Sequence, residues 1–329
     1  MHRRTVLAGL SLTLAAASRT PVFAQTPHVG IVAKIGGIPW FTRMEEGIKE
    51  QGRKLGLHAF MVGPTSADPA LQVRAIEDLI AQGVKAIGVV PNDAKVLAPV
   101  LQKAKNAGII TLSHESPGQA GIDWDFELAT PVMLGEATAE LLAKKMGGKG
   151  KYAVFVGSLT VPLHNAWADA GIAYFKKNYP EMLMVGERYG VAEDADKSRA
   201  TMLDLMSANP DLRGLLAFGS QGPIGAGRAV EDRRKIGEVF VVGSFNARQG
   251  LHLFKRGAVA GGYKWNSKTA GQIFVTLADR LIKGQPIKDG DDIEGLGVVR
   301  PDVSTRTITV NGLLLMDDKS IDWMAAEGL

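Results

Sequence analysis

The chain has 329 residues, 46% of them hydrophobic, no cysteine and a formal net charge of +4, enough apolar material for more than one core. Without cysteine there is no disulfide, no thiolate zinc or iron–sulfur site, no cysteine nucleophile and no thiol for a lipid anchor. The small charge and the lack of a Lys/Arg-rich run argue against nucleic acid as a partner.

Residues 1–24 read as a cleaved signal peptide. Arg3 and Arg4 give a positive start, Val6 to Ala17 is apolar but too short to span a bilayer, and Val22-Phe23-Ala24 is a small-x-small cleavage site. The Arg pair partly resembles a twin-arginine signal without its usual flanking positions, so the Sec and twin-arginine routes both stand. Losing Arg3, Arg4 and Arg19 with no acidic residue lowers the formal charge from +4 to +1, so the expected mature protein, free in the periplasm, is nearly neutral. No later segment offers a membrane-spanning apolar run.

Short β-branched runs then alternate with amphipathic stretches, the pattern of parallel sheets flanked by helices. Val29 to Ala33 predicts a strand, and Phe41 to Leu55 a helix burying Met44, Ile48, Gln51 and Leu55, stopped by Gly56. Strand His58 to Val62, helix Pro69 to Gln82 capped by Asp68, strand Ala86 to Val90, helix Pro99 to Asn106 and strand Ile109 to Ser113 follow. Pro117 and Gly118 then break the periodicity. A second series runs through helix Pro131 to Met146, strand Tyr152 to Val156, helix Asn165 to Asn178, strand Leu183 to Arg188, helix Lys197 to Ala208, strand Gly214 to Ala217, helix Gly222 to Arg234 and strand Phe240 to Gly243. Helix Ala270 to Ile282, an irregular 284–301 stretch and strands near Arg306 to Val310 and Leu313 to Met316 close the chain.

The expected fold class is therefore α/β, with two Rossmann-like lobes joined by a multi-segment hinge. Lobe 1 takes residues 28–117 and about 266–286, and lobe 2 about 128–262 and 302–329, with crossings near 118–127, 262–266 and 287–301.

In open parallel sheets ligands sit beyond the carboxyl ends of the strands. Here those ends carry Lys34 with Trp40 and Phe41; His114 and Glu115; His164, Asn165 and Trp167; Phe218, Ser220 and Gln221; Asn246; and Trp265 with Asn266. Aromatic rings beside short polar groups suit a sugar, whose ring face is C–H surface and whose rim is hydroxyls. A lysine that follows an apolar strand needs a reason to be there. The glycines at 219, 222, 225 and 227 do not make G-x-G-x-x-G after the first strand, which argues against an NAD enzyme. An export signal stands where a sugar-responsive repressor needs a helix-turn-helix. No metal, cofactor or catalytic residue is expected.

At these strand ends the chain resembles the type I periplasmic sugar-binding proteins of ABC importers, and within them the branch of rhamnose-binding and autoinducer-2-binding proteins. The carriers are Val32-Ala33-Lys34 with Trp40-Phe41, Gly63-Pro64-Thr65, Leu112 to Ser116, Ser158 to Val161 with Asn165-Ala166-Trp167, Val241-Val242-Gly243, Arg256-Gly257 and Trp265. The resemblance implies that Lys34 and Glu115 contact ligand oxygens from the first lobe, that Trp40, Phe41 and Trp265 line the pocket, and that positions 163, 164, 218 and 220 contribute from the second. Where autoinducer-2 binders carry an acid and an amide this chain has Leu163 and His164, and where they have Pro and Ala it has Phe218 and Ser220. Those departures favour a pentose, deoxyhexose or polyol. The resemblance further implies a monomer that delivers its ligand to an inner-membrane ABC permease; the alternative is a sensor presenting autoinducer-2 or a sugar to a chemoreceptor or sensor kinase.

Overall fold

The computed structural model describes residues 28–329; the expected signal peptide lies outside the described residues. The chain begins β1 (His28–Val32), α1 (Pro39–Leu55), β2 (His58–Val62), α2 (Pro69–Ala81), β3 (Ala86–Val89), α3 (Ala94–Asn106), β4 (Ile110–His114) and β5 (Trp124–Glu127). It continues with α4 (Pro131–Met146), β6 (Gly150–Val156), α5 (Pro162–Asn178), β7 (Met182–Gly190), α6 (Ala195–Ala208), β8 (Leu212–Phe218), α7 (Gly222–Asp232), β9 (Phe240–Gly243) and α8 (Ala247–Lys255). It ends with β10 (Gly262–Lys264), α9 (Ser267–Ile282), β11 (Asp292–Ile293), β12 (Gly297–Val298), β13 (Thr307–Thr309), β14 (Leu314–Met316) and α10 (Ile321–Ala326).

Two parallel sheets result, in the orders β13-β5-β4-β3-β1-β2 and β7-β6-β8-β9. β10 and β14 form an antiparallel pair beside the second sheet, bridged to it where Val242 meets Gly261. β3 is buried end to end and β8 at every residue but Arg213, as parallel strands covered by helices on both faces must be. Helix α9 follows the second sheet in sequence but packs on the first, its Phe274 ring 4.9 Å from Phe126. It lies against α1 so closely that a Cβ on Gly47 would stand 2.0 Å from the Lys268 carbonyl oxygen, and one on Gly271 2.1 Å from that of Met44. Only glycine permits that crossing.

Three expectations need correction. First, residues 124–127 are not a crossing but a strand of the first sheet, and 307–309 pair beside them as its edge rather than in the second lobe. Two acids in the four-residue WDFE segment hid the strand, because Asp and Glu disfavour sheets in the absence of buried partners. Second, the stretch 287–301 is no crossing: its β11–β12 hairpin buries Ile293 and Leu296 and joins α1 through bonds from Lys54 and Gln51 to Glu294. The chain passes between the sheets at 128–130 and 310–313, and at 265–266 within the expected 262–266 crossing. Third, α3 starts five residues before Pro99, because the Asp93 carboxylate accepts from the Lys95 and Val96 amides and fixes the start there. Helix α8 was not anticipated; Asn246 caps it by accepting from the Gln249 amide at 3.1 Å.

Candidate functional site

A buried cavity between the two sheets is lined by Lys34, Trp40, Phe41, Glu115, His164, Trp167, Glu193, Gly219, Ser220, Ser244 and Trp265. From the first sheet, Lys34 follows β1. Its carbonyl accepts from Asn92 Nδ2 at 2.8 Å, the Asn92 amide donates to Gln72 Oε1 at 2.8 Å, and Gln72 Nε2 donates to the carbonyls of Ala33 and Val90 at 2.9 Å. This fully buried lattice fixes the strand end on which the lysine sits. Glu115 follows β4 in a left-handed backbone conformation, φ 60°, which is costly for a residue with a Cβ and must be held by its surroundings. The holding groups are on β5: Ser113 Oγ donates to Asp125 at 2.6 Å and the Ser116 amide to Glu127 at 3.0 Å.

From the second sheet come His164, in the first turn of α5, and Glu193, in the loop after β7. The Gly157 amide donates to His164 Nδ1 at 3.1 Å, and the other ring nitrogen, Nε2, faces the first lobe. That nitrogen lies 2.7 Å from Lys34 Nζ, and it stands 3.6 Å from Glu115 and 3.8 Å from Glu193. Lys34 is paired with Glu115 and is 3.5 Å from Glu193. Burial works against the Lys34 ammonium, but Glu115 and Glu193 outweigh it and its pKa rises. Burial likewise opposes ionisation of Glu115, yet Lys34 and His164 hold it well below the usual carboxylate range. His164 is pushed down by burial and by Lys34, and so stays neutral.

The remaining walls are aromatic. Trp265 lies 5.6 Å edge-on from Trp40 and 5.4 Å from Trp167, on which His164 stacks at 5.1 Å. The indole N–H groups of Trp167 and Trp265 are buried without a protein partner, a cost that a ligand oxygen would relieve. Outside the cavity, Thr160 Oγ1 in the second lobe donates to the Asn92 carbonyl in the first at 3.0 Å.

Eight expected residues thus line one cavity: Lys34, Trp40, Phe41, Glu115, His164, Trp167, Ser220 and Trp265. Six do not. His114 lies behind it, stacked 4.5 Å from Phe126 with Nδ1 2.7 Å from the Phe126 carbonyl. Phe218 backs Trp167 at 6.2 Å. Asn165 donates to the carbonyls of Ser158 and Val161 and so pins its own loop. Gln221 pairs with Gln249. Asn246 and Asn266 accept from the first amides of α8 and α9, as short amide side chains at helix starts do. Reading strand ends alone missed Glu193, although it lies just beyond β7 and the same rule reaches it. It also missed Lys264, buried over the Trp40 ring at 5.0 Å, where burial and then Arg43 lower its pKa to about 7.

Among the described residues no helix is long and apolar enough to cross a membrane. The periplasmic binding protein domain family matches residues 29–286. The chain is 23% identical over 260 residues to the ribose import binding protein of Bacillus subtilis, covering 79% of this chain and 83% of that one. It is 25% identical over 292 residues to a xylitol-binding protein of Mycolicibacterium smegmatis, covering 85% and 79%. In fold it is similar to an ABC transporter solute-binding protein of Clostridium phytofermentas with bound L-rhamnose, at TM-score 0.85, 21% identity and coverage of 93% of this chain and 100% of that one. LsrB of Clostridium saccharobutylicum in complex with AI-2 gives TM-score 0.84 and 20% identity, covering 90% and 98%. With more than half its length matched, and with two parallel α/β lobes around a buried polar and aromatic cleft, this chain belongs to the periplasmic binding protein domain family.

Proposed function

We propose that the protein is the periplasmic solute-binding component of an ABC importer, a monomer without catalytic activity that carries a small sugar or polyol to a membrane permease. A pentose or deoxyhexose suits the cavity chemistry best. The ligand ring would lie against the indoles, with its hydroxyls donating to Glu115 and Glu193 and accepting from Lys34, Trp167 and Trp265.

One observation carries this reading. Lys34 and Glu115 come from one lobe, His164 and Glu193 from the other, and all four converge on one aromatic-walled cavity. A ligand that touches both walls stabilises the closed arrangement relative to an open one, since it has differential affinity for the two. The crossings at 128–130, 265–266 and 310–313 would form the hinge, and the permease would read the closed form.

A thermal-shift screen over pentoses, deoxyhexoses, polyols and autoinducer-2 tests the proposal. At least one sugar or polyol is expected to raise the melting temperature in the wild type and not in Lys34→Ala or Glu115→Ala. A response to none of them, or equal responses in the variants, contradicts it.

A further inference from the structure

We infer that Glu193 selects the charge of the ligand, so that the cleft admits uncharged or amine-bearing polyhydroxyl compounds and excludes sugar acids and sugar phosphates. The inference rests on the sugar-binding reading above and goes beyond it to the ligand class.

The cavity wall carries one ammonium, Lys34, and two carboxylates, Glu115 and Glu193. Because His164 Nδ1 accepts from the Gly157 amide, the ring is not doubly protonated and carries no charge, so Lys34 and Glu115 alone would make a balanced pair, and Glu193 gives the wall an excess negative charge. The two acids also differ in their commitments. Glu115 is paired with Lys34, whereas Glu193 stands 3.5 Å from Lys34 Nζ and 3.8 Å from His164 Nε2, beyond good hydrogen-bond length. It is nevertheless only 6% exposed, so it keeps acceptor capacity for a proton that the ligand brings.

The other side of the balance is short of cations. Among the described residues no arginine and no second lysine lines the cavity; Lys264 lies behind the Trp40 ring. The unpartnered donors are the neutral indole N–H groups of Trp167 and Trp265. An entering carboxylate or phosphate would meet a lysine already paired with Glu115 and a second, uncommitted carboxylate beside it, in a site with little water to screen the repulsion. A hydroxyl would find an acceptor. An ammonium would find a carboxylate and three indole faces, which attract cations.

The test is calorimetry near neutral pH on matched series, each comprising a neutral sugar or polyol (D-ribose, L-rhamnose, xylitol), the aldonate of the same skeleton and its 1-amino-1-deoxy alditol, with wild type and Glu193→Gln. In the wild type the amine is expected to bind at least as well as the neutral compound and the acid at least about tenfold more weakly. Glu193→Gln should close about tenfold of the gap between acid and neutral compound and remove any preference for the amine. An acid that binds the wild type within about threefold of its neutral partner, or a gap unchanged in the variant, overturns the inference. Failure of every probe would instead contradict the sugar reading, and the protein alone then decides the charge assignment. By NMR titration His164 should become more acidic in Glu193→Gln, and a His164 titration that does not move overturns the role given to Glu193.

Discussion

Glu115 and Glu193 face Lys34 in the cleft, while Asp125 and Glu127, equally buried on β5, have no lysine or arginine partner among the described residues. Burial pushes Asp125 up to about 7, and burial and then Asp125 raise Glu127 well above an ordinary glutamate. Glu115 is driven the other way, because the lysine outweighs the same burial. One strand separates an acid held ionised, which can meet a ligand, from a pair whose ionisation burial opposes and that holds Ser113 and Ser116 in place around it. With depth shared, the difference comes from the ammonium beside Glu115 and from the mutual repulsion of the two neighbouring acids on β5.

Removing that ammonium should therefore have the largest effect. Lys34→Met leaves two carboxylates buried without a cation, so a loss of about 3–5 kcal/mol in denaturant unfolding is expected, together with loss of detectable sugar binding by calorimetry. A variant as stable as wild type would mean that the cleft acids do not depend on Lys34. Glu115→Gln keeps the shape and removes the charge; affinity for the sugar should fall by about 1.5–3 kcal/mol, the value of a charge-assisted hydrogen bond, with a smaller change in stability.

The pair on β5 gives a sharper contrast through pH. A carboxyl whose folded pKa is raised adds stability that is present below its unfolded value and lost as pH rises through the folded one, here about 7 for Asp125. Glu115, with a lowered pKa, contributes stability above the unfolded carboxylate range that is lost as pH falls. Asp125→Asn cannot ionise, so its melting temperature should gain on that of wild type as pH rises from the unfolded carboxylate range, about 4, to about 7, and stay level above it. Lys264 titrates equally in both proteins and cancels from the difference. Parallel curves would show that the pair is ionised after all. The smallest effects belong to the caps: Asn246→Ala and Asn266→Ala should each cost about 1 kcal/mol in thermal melts and leave sugar affinity unchanged. A large affinity loss in either would return those amides to the site.

The periodicity of apolar residues makes the alternating elements readable, and the rule that ligands sit beyond strand ends brings Lys34, Glu115, His164 and the three tryptophans together from the sequence alone. Two kinds of feature escaped it. One was short acidic strands: β5 pairs with β4 while Ser113 and Ser116 each donate to one oxygen of its two acids, a tertiary fact absent from WDFE itself. The other was amides with two possible employers. Asn246 and Asn266 stand at strand ends but also at helix starts, and the backbone amides of α8 and α9 claim them. The Asn246-to-Gln249 spacing was a capping signal legible in the sequence.

A crystal structure of the protein with the tightest-binding sugar of the screen tests the central claim most directly. The account predicts the sugar in the cavity between the sheets, its ring against Trp40, Trp167 or Trp265 and its hydroxyls within hydrogen-bond distance of Lys34, Glu115 and Glu193. A sugar bound elsewhere, or held in the cleft without contact to Lys34 or either acid, would contradict it.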